Sequence, residues 1–171
     1  YKTAKERGFH KVYGMLHGIE GLLDEMYVEA IADGSHLPAE LLQLIYKVKG
    51  PRRVCLVTDS MCAAGMPDGE YSLGGVPCIK ENGVAKLMDR SAFAGSVATT
   101  DMLVRTFCNL TGAPLYDVVR MTSLTPAEML GIGTRTGSIQ VGKAADLLVF
   151  DEDVQLKHIV VAGRTEFSTL Q

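Results

Sequence analysis

Two periods of apolar and polar positions organise this chain. Glu25–Ala32 is rich in apolar and β-prone residues and stops at Asp33-Gly34, which predicts a short buried strand. From Pro38 to Lys49 the pattern changes to helical spacing, with Leu41, Leu42, Leu44, Ile45 and Val48 recurring until Gly50-Pro51 ends the run. Arg53–Thr58 then reads as a second strand, almost wholly apolar. Strand, helix and strand in so short a span predict a βαβ unit whose strands are parallel and buried on both faces.

The pattern changes again after Thr58. A Gly-, Pro- and Asp-rich loop, Ala63–Gly69, leads into strand-like segments at Glu70–Val76, Pro77–Lys80 and Val84–Met88. The turn Glu81-Asn82-Gly83 separates the last two, and Asn-Gly between alternating segments is a strong hairpin signal. Helical patterning returns at Thr99–Leu110, Pro114–Ser123 and Pro126–Leu130. The tail predicts strands at Gly137–Val141, Asp146–Phe150 and Lys157–Val161, the last closed by Ala162-Gly163. The expected organisation is an α/β body over residues 1–133 and a β tail over 134–171.

Composition narrows the class. The 171 residues are 47% hydrophobic and 22% charged, which suits a folded domain with its own core. The formal net charge of -3 argues against a nucleic-acid partner, since such domains carry a clustered basic surplus. No apolar run reaches the roughly 20 residues of a membrane span, so no membrane partner is expected. The four cysteines, Cys55, Cys62, Cys78 and Cys108, show no paired metal-site spacing and predict free thiols in a reducing, cytoplasmic setting. The chain opens without Met or an apolar leader, and a preceding segment is expected.

In parallel α/β architectures chemistry sits just past the carboxyl ends of the strands. His36 follows the first strand and Asp59 the second. Each has a plain structural alternative: Asp59 as a turn-capping carboxylate, His36 as a residue flanking a helix start. Spacing leaves both readings open. His10, His17 and His158 have no second donor at metal-ligand spacing, so no metal ligand is identified among them.

One stretch is more specific. Val57-Thr58-Asp59-Ser60-Met61-Cys62-Ala63-Ala64-Gly65-Met66-Pro67-Asp68-Gly69-Glu70-Tyr71 resembles the N-acetylglucosamine-6-phosphate deacetylase family. Ile31-Ala32-Asp33-Gly34-Ser35-His36, Phe93-Ala94-Gly95-Ser96 and Thr125-Pro126-Ala127 agree in order. Gly142-Lys143-Ala144-Ala145-Asp146-Leu147 is common to amidohydrolases at large. The resemblance implies an α/β fold: the C-terminal part of a (β/α)8 TIM-type barrel, followed by strands of a small β-sandwich built from both chain ends. The strands before His36 and Asp59 would be the seventh and eighth of the barrel, with the Asn82-Gly83 hairpin an insertion after the eighth.

The activity the resemblance implies is metal-dependent hydrolysis of the acetamide of N-acetylglucosamine-6-phosphate to glucosamine-6-phosphate and acetate. A divalent cation, with zinc the expected ion, would polarise the carbonyl and acidify its bound water. Asp59 would take the water's proton and later give it to the leaving amine. His36 would hydrogen-bond the sugar, and the loop of Phe93, Ala94, Gly95 and Ser96 would line the substrate. A homodimer is expected. The family's principal metal ligands, a Glu and two His, belong to earlier strands and have no counterpart here, although Asp59 would lie near the metal. A Thr-His segment of the family is also missing, where Phe9 runs into His10, and Lys11 is a weak stand-in for its phosphate-binding Arg. Two alternatives stand beside this expectation: an amidohydrolase acting on another N-acyl sugar or a cyclic amide, and an inactive folded fragment or interaction module.

Overall fold

The computed structural model describes residues 24–170. The first unit is the expected βαβ. Strands β1 (Val28–Ala30) and β2 (Val54–Leu56) pair in parallel, with Val28 opposite Val54 and Ala30 opposite Leu56, and helix α1 (Ala39–Lys49) makes the crossover. Gly50 ends α1 at φ 64°, and its N–H donates to the Tyr46 carbonyl at 2.8 Å.

Burial on both faces holds for one strand only. Val54 and Leu56 join the main core while Cys55, between them, is buried beside the Met129 sulfur. Burial, and then the nearby Glu29 charge, push the Cys55 thiol up. Glu29 is the register partner of Cys55, yet it is exposed. No element among the described residues covers that part of β1.

The expected β-excursion is a three-stranded antiparallel meander: β3 (Gly69–Leu73), β4 (Val76–Glu81) and β5 (Val84–Leu87). Asn82 and Gly83 form the β4–β5 turn with φ of 52° and 75°, the paired positive values that Asn-Gly tolerates best. The segment Glu70–Val76 is not one strand, because Gly74-Gly75 turns the chain inside it. The meander has a small core of its own, made by Met61, Ala63, Cys78, Ala85 and Ala94.

Helices α2 (Thr100–Thr111), α3 (Leu115–Thr122) and α4 (Leu124–Met129) follow, close to the predicted spans. Pro126 sits in the first turn of α4, where an absent N–H breaks no helical bond. Phe107, Leu103, Leu42, Val54, Val118 and Met121 are the fully buried centre of the main core, where α1, α2 and α3 meet the parallel pair. Thr125 is also buried, and its hydroxyl donates to the Pro51 carbonyl at 2.6 Å, tying α4 to the turn before β2.

The tail forms a second meander of β6 (Leu147–Phe150), β7 (Leu156–Val161) and β8 (Arg164–Ser168). Val154, in the β6–β7 connection, reaches the main core, and its carbonyl accepts a 3.0 Å bond from Arg105 on α2. Two expectations fail here. Gly137–Val141 is not a strand: Ile139 and Val141 stand 89% and 107% exposed, and no strand lies alongside among the described residues. Alternation gives a strand its faces, but the ladder needs a neighbour. Conversely β8 is a strand that the sequence pattern missed, because Arg164–Ser168 is mostly polar and owes its state to pairing with β7.

Two outcomes follow from this packing. Phe107→Ala should lower stability by about 3–5 kcal/mol, read as a shift in the urea midpoint, because the cavity lies at the centre of the core. Tyr46 on α1 donates to the Asp117 carboxylate on α3 at 2.5 Å. That bond foremost, with burial, pushes the Tyr46 phenol up to about 12. The pKa is raised in the folded state, so the bond's contribution is complete below pH 10 and is lost as pH rises from 10 towards 12. Tyr46→Phe should therefore cost about 1 kcal/mol at pH 8, and the gap to wild type should close in unfolding titrations above pH 10.

Candidate active site

The parallel pair carries two loops beyond its carboxyl ends. After β2 the ladder continues for one bond, Val57 N–H to the Ala30 carbonyl at 3.0 Å, and then the chain turns away. Asp59 takes a positive φ of 49°, unusual for a residue with a side chain. Its carboxylate is exposed and has no hydrogen bond or ion pair among the described residues. The expected alternative, a turn-capping Asp, finds no support in this geometry.

What holds Asp59 is its backbone. Its carbonyl accepts from the Ser96 N–H at 2.8 Å, and the Met61 N–H donates to the Ser96 carbonyl at 2.9 Å. The Ser96 hydroxyl donates to the Thr58 carbonyl and accepts the Ala98 N–H at 3.1 Å, while the Ser60 hydroxyl donates to the Ala98 carbonyl. Ser96 is only 2% exposed. Gly95 lies against this seam at φ 66°, and a Cβ there would come within 3.0 Å of the Asp59 carbonyl oxygen. Ala94 is buried in the meander core, and its N–H donates to Ala85 at 3.0 Å. Just upstream, Arg90 holds Glu81 by two bonds of 2.9 and 3.0 Å, keeping that exposed carboxyl below its usual range.

His36 lies beyond β1. Its Nδ1 is 2.8 Å from Asp33 Oδ2, and its ring stacks on Phe93 with centroids 4.6 Å apart and planes tilted by 38°. The other oxygen of Asp33 accepts the backbone N–H groups of Ser35 and His36, both at 2.9 Å. Phe93–Ser96 is thus the link between the two loops: one end touches His36 and the other is bonded to Asp59. Asp33 was not singled out in the sequence. An Asp two and three residues before backbone donors is an Asx-turn signal, and it was legible as such.

The remaining candidates lie elsewhere. His158 sits within β7, its Nδ1 buried without a partner and its Nε2 3.3 Å from the Thr165 hydroxyl. His10, Lys11 and His17 fall outside the described residues. All four cysteines are free. Among the described residues, no three His, Cys, Asp or Glu side chains gather to hold a metal ion, and no helix is long and apolar enough to cross a membrane.

Comparison with known proteins bears on the family of the chain. The model of the amidohydrolase family matches residues 3–166. An N-acetylglucosamine-6-phosphate deacetylase of Lysinibacillus sphaericus is 34% identical over 161 residues, which is 94% of this chain and 41% of that protein. A putative N-acetylgalactosamine-6-phosphate deacetylase of Escherichia coli K12 is 36% identical over 157 residues, 91% of each chain. The crystal structure of N-acetylglucosamine-6-phosphate deacetylase from Thermotoga maritima superposes with a TM-score of 0.85 at 34% identity, covering 94% of this chain and 43% of that one. This chain therefore spans about two fifths of the Lysinibacillus and Thermotoga proteins. With a family model matched along nearly its whole length and the same fold in a solved relative, the chain belongs to the amidohydrolase family.

Proposed function

We propose that the protein to which this chain belongs hydrolyses the acetamide of N-acetylglucosamine-6-phosphate, releasing acetate and glucosamine-6-phosphate. The observation that carries this reading is the Phe93–Ser96 segment, which joins His36 to Asp59 beyond the ends of two parallel strands. That is where catalytic groups collect in barrel enzymes. On this reading residues 1–133 hold the last strands and helices of a (β/α)8 barrel, and 134–171 belong to a small β-sandwich. Exposed Leu148, Val149 and Phe167 support the second assignment, since a sheet with so much apolar surface needs another layer to cover it. The protein would work as a homodimer in the cytoplasm.

Asp59 is suited to proton transfer because its backbone is fixed while its carboxylate remains open. It would accept a proton from the attacking water as the oxygen adds to the acetyl carbon. The same proton would pass to nitrogen as the C–N bond breaks, giving acetate and a free amine. His36 would hold the sugar by a hydrogen bond, and Phe93 with Gly95 would form the adjoining wall. The divalent ion, zinc by expectation, needs three or four placed donors. The described residues do not supply them, so its ligands would belong to the rest of the protein.

The relatives named for N-acetylglucosamine and N-acetylgalactosamine 6-phosphates make the sugar the point to test. Acetate release by the full-length protein should be fastest with N-acetylglucosamine-6-phosphate and much slower with the unphosphorylated sugar. A preference for the galactosamine isomer would change the substrate, and no release from either would overturn the activity. Asp59→Asn keeps the side chain's shape but removes the base. It should lower kcat by at least ~10²-fold, about 2.7 kcal/mol of barrier, with a much smaller change in substrate affinity. Near wild-type kcat at unchanged metal content would make Asp59 a structural residue. His36→Asn should instead lower kcat/KM through binding and orientation together.

A further inference from the structure

We infer that Asp33 is a positioning residue: its carboxylate holds the proton on Nδ1 of His36 and so presents Nε2 to the ligand. The inference rests on His36 being a ligand-binding group of the proposed deacetylase site. Its starting point is the division of labour between the two oxygens of Asp33. Oδ1 accepts the backbone N–H groups of Ser35 and His36, which closes the turn after β1. A turn of this kind needs one oxygen only. Oδ2 lies 2.8 Å from His36 Nδ1.

A carboxylate accepts and cannot donate, so the proton between the two atoms belongs to Nδ1. The imidazole's other nitrogen is then the one available to a ligand, in either protonation state of the ring. The partner on one ring nitrogen sets the role of the other. Burial makes the arrangement specific: the Asp33 side chain is 7% exposed and that of His36 is 18% exposed. Phe93 packs on the ring face and limits its rotation. The ring is therefore fixed in the plane by Asp33 and against tilting by Phe93. No hydrogen bond to His36 Nε2 occurs among the described residues.

The test uses ring nitrogen shifts from two-bond proton–nitrogen spectra of the labelled full-length protein. Loss of one histidine's signals in His36→Asn assigns them. The wild-type ring should show a protonated Nδ1. In Asp33→Asn the amide oxygen can still accept both backbone N–H groups, but its NH2 meets Nδ1, so the ring should switch to the Nε2–H form. Activity should follow the ring: kcat/KM falls by about 10- to 100-fold, the range known for orienting partners of metal-bound histidines. In a His36→Asn background, Asp33→Asn should add less than about twofold, since coupled residues are not additive. A purely structural Asp33 would lower both backgrounds alike. The inference is overturned by a wild-type ring bearing its proton on Nε2 alone, by an unchanged ring in Asp33→Asn, or by additive losses. If the wild type releases no acetate from either sugar phosphate, the deacetylase reading fails, and the ring spectra still decide the role of Asp33.

Discussion

The seam between Thr58–Met61 and Ser96–Ala98 is the constraint on which the candidate site depends. It consists of two backbone bonds at 2.8 and 2.9 Å, with two serine hydroxyls bonded across or along it. Buried backbone groups must find partners, and here the loop leaving β2 and the segment leaving the meander satisfy one another. Gly95 is what permits so close an approach, because a side chain there would press on the Asp59 carbonyl. With its backbone held in this way, Asp59 can adopt a positive φ and leave its carboxylate free. Such strain is tolerated where surrounding structure over-determines it.

The meander is therefore more than an insertion between a strand and a helix. Its own small core fixes Ala94, and Ala94 fixes the segment that carries Phe93 and Ser96. His36 arrives from the other side, on a turn closed by Asp33, and its ring meets that of Phe93 at a tilt. Three separate stretches of chain thus converge beyond one parallel pair. The main core beneath them is made by α1, α2 and α3 around β2, and it supports the candidate site from below.

Much of this was legible in the residues. The βαβ unit was, because apolar runs of strand length flank a helix with a clear 3.6-residue stripe. The Asn82-Gly83 hairpin was, because few residue pairs accept two positive φ values. Asp59 and His36 were placed beyond strand ends by order alone, though spacing left their roles open. Two misjudged strands share one cause. Gly137–Val141 has strand-like alternation and no partner, whereas Arg164–Ser168 lacks the pattern and has one. Pairing is a property of neighbours, and a single segment does not encode its neighbour.

The sequence by itself determined the local elements and the residue types at the strand ends, since both follow from short-range sterics, periodicity and burial preference. It also carried the motifs by which the chain resembles amidohydrolase deacetylases. Only the tertiary structure decided which loops meet: that Ser96 is buried as the fastening of Asp59, that Phe93 lies on His36, and that Asp33 turns one oxygen to the backbone and the other to the imidazole. Those contacts join residues separated by long stretches of chain, or depend on a turn closed by side-chain hydrogen bonds. Both are settled by the packing of the whole, because hydrogen bonds and close approaches are short-ranged while the chain that supplies them is not.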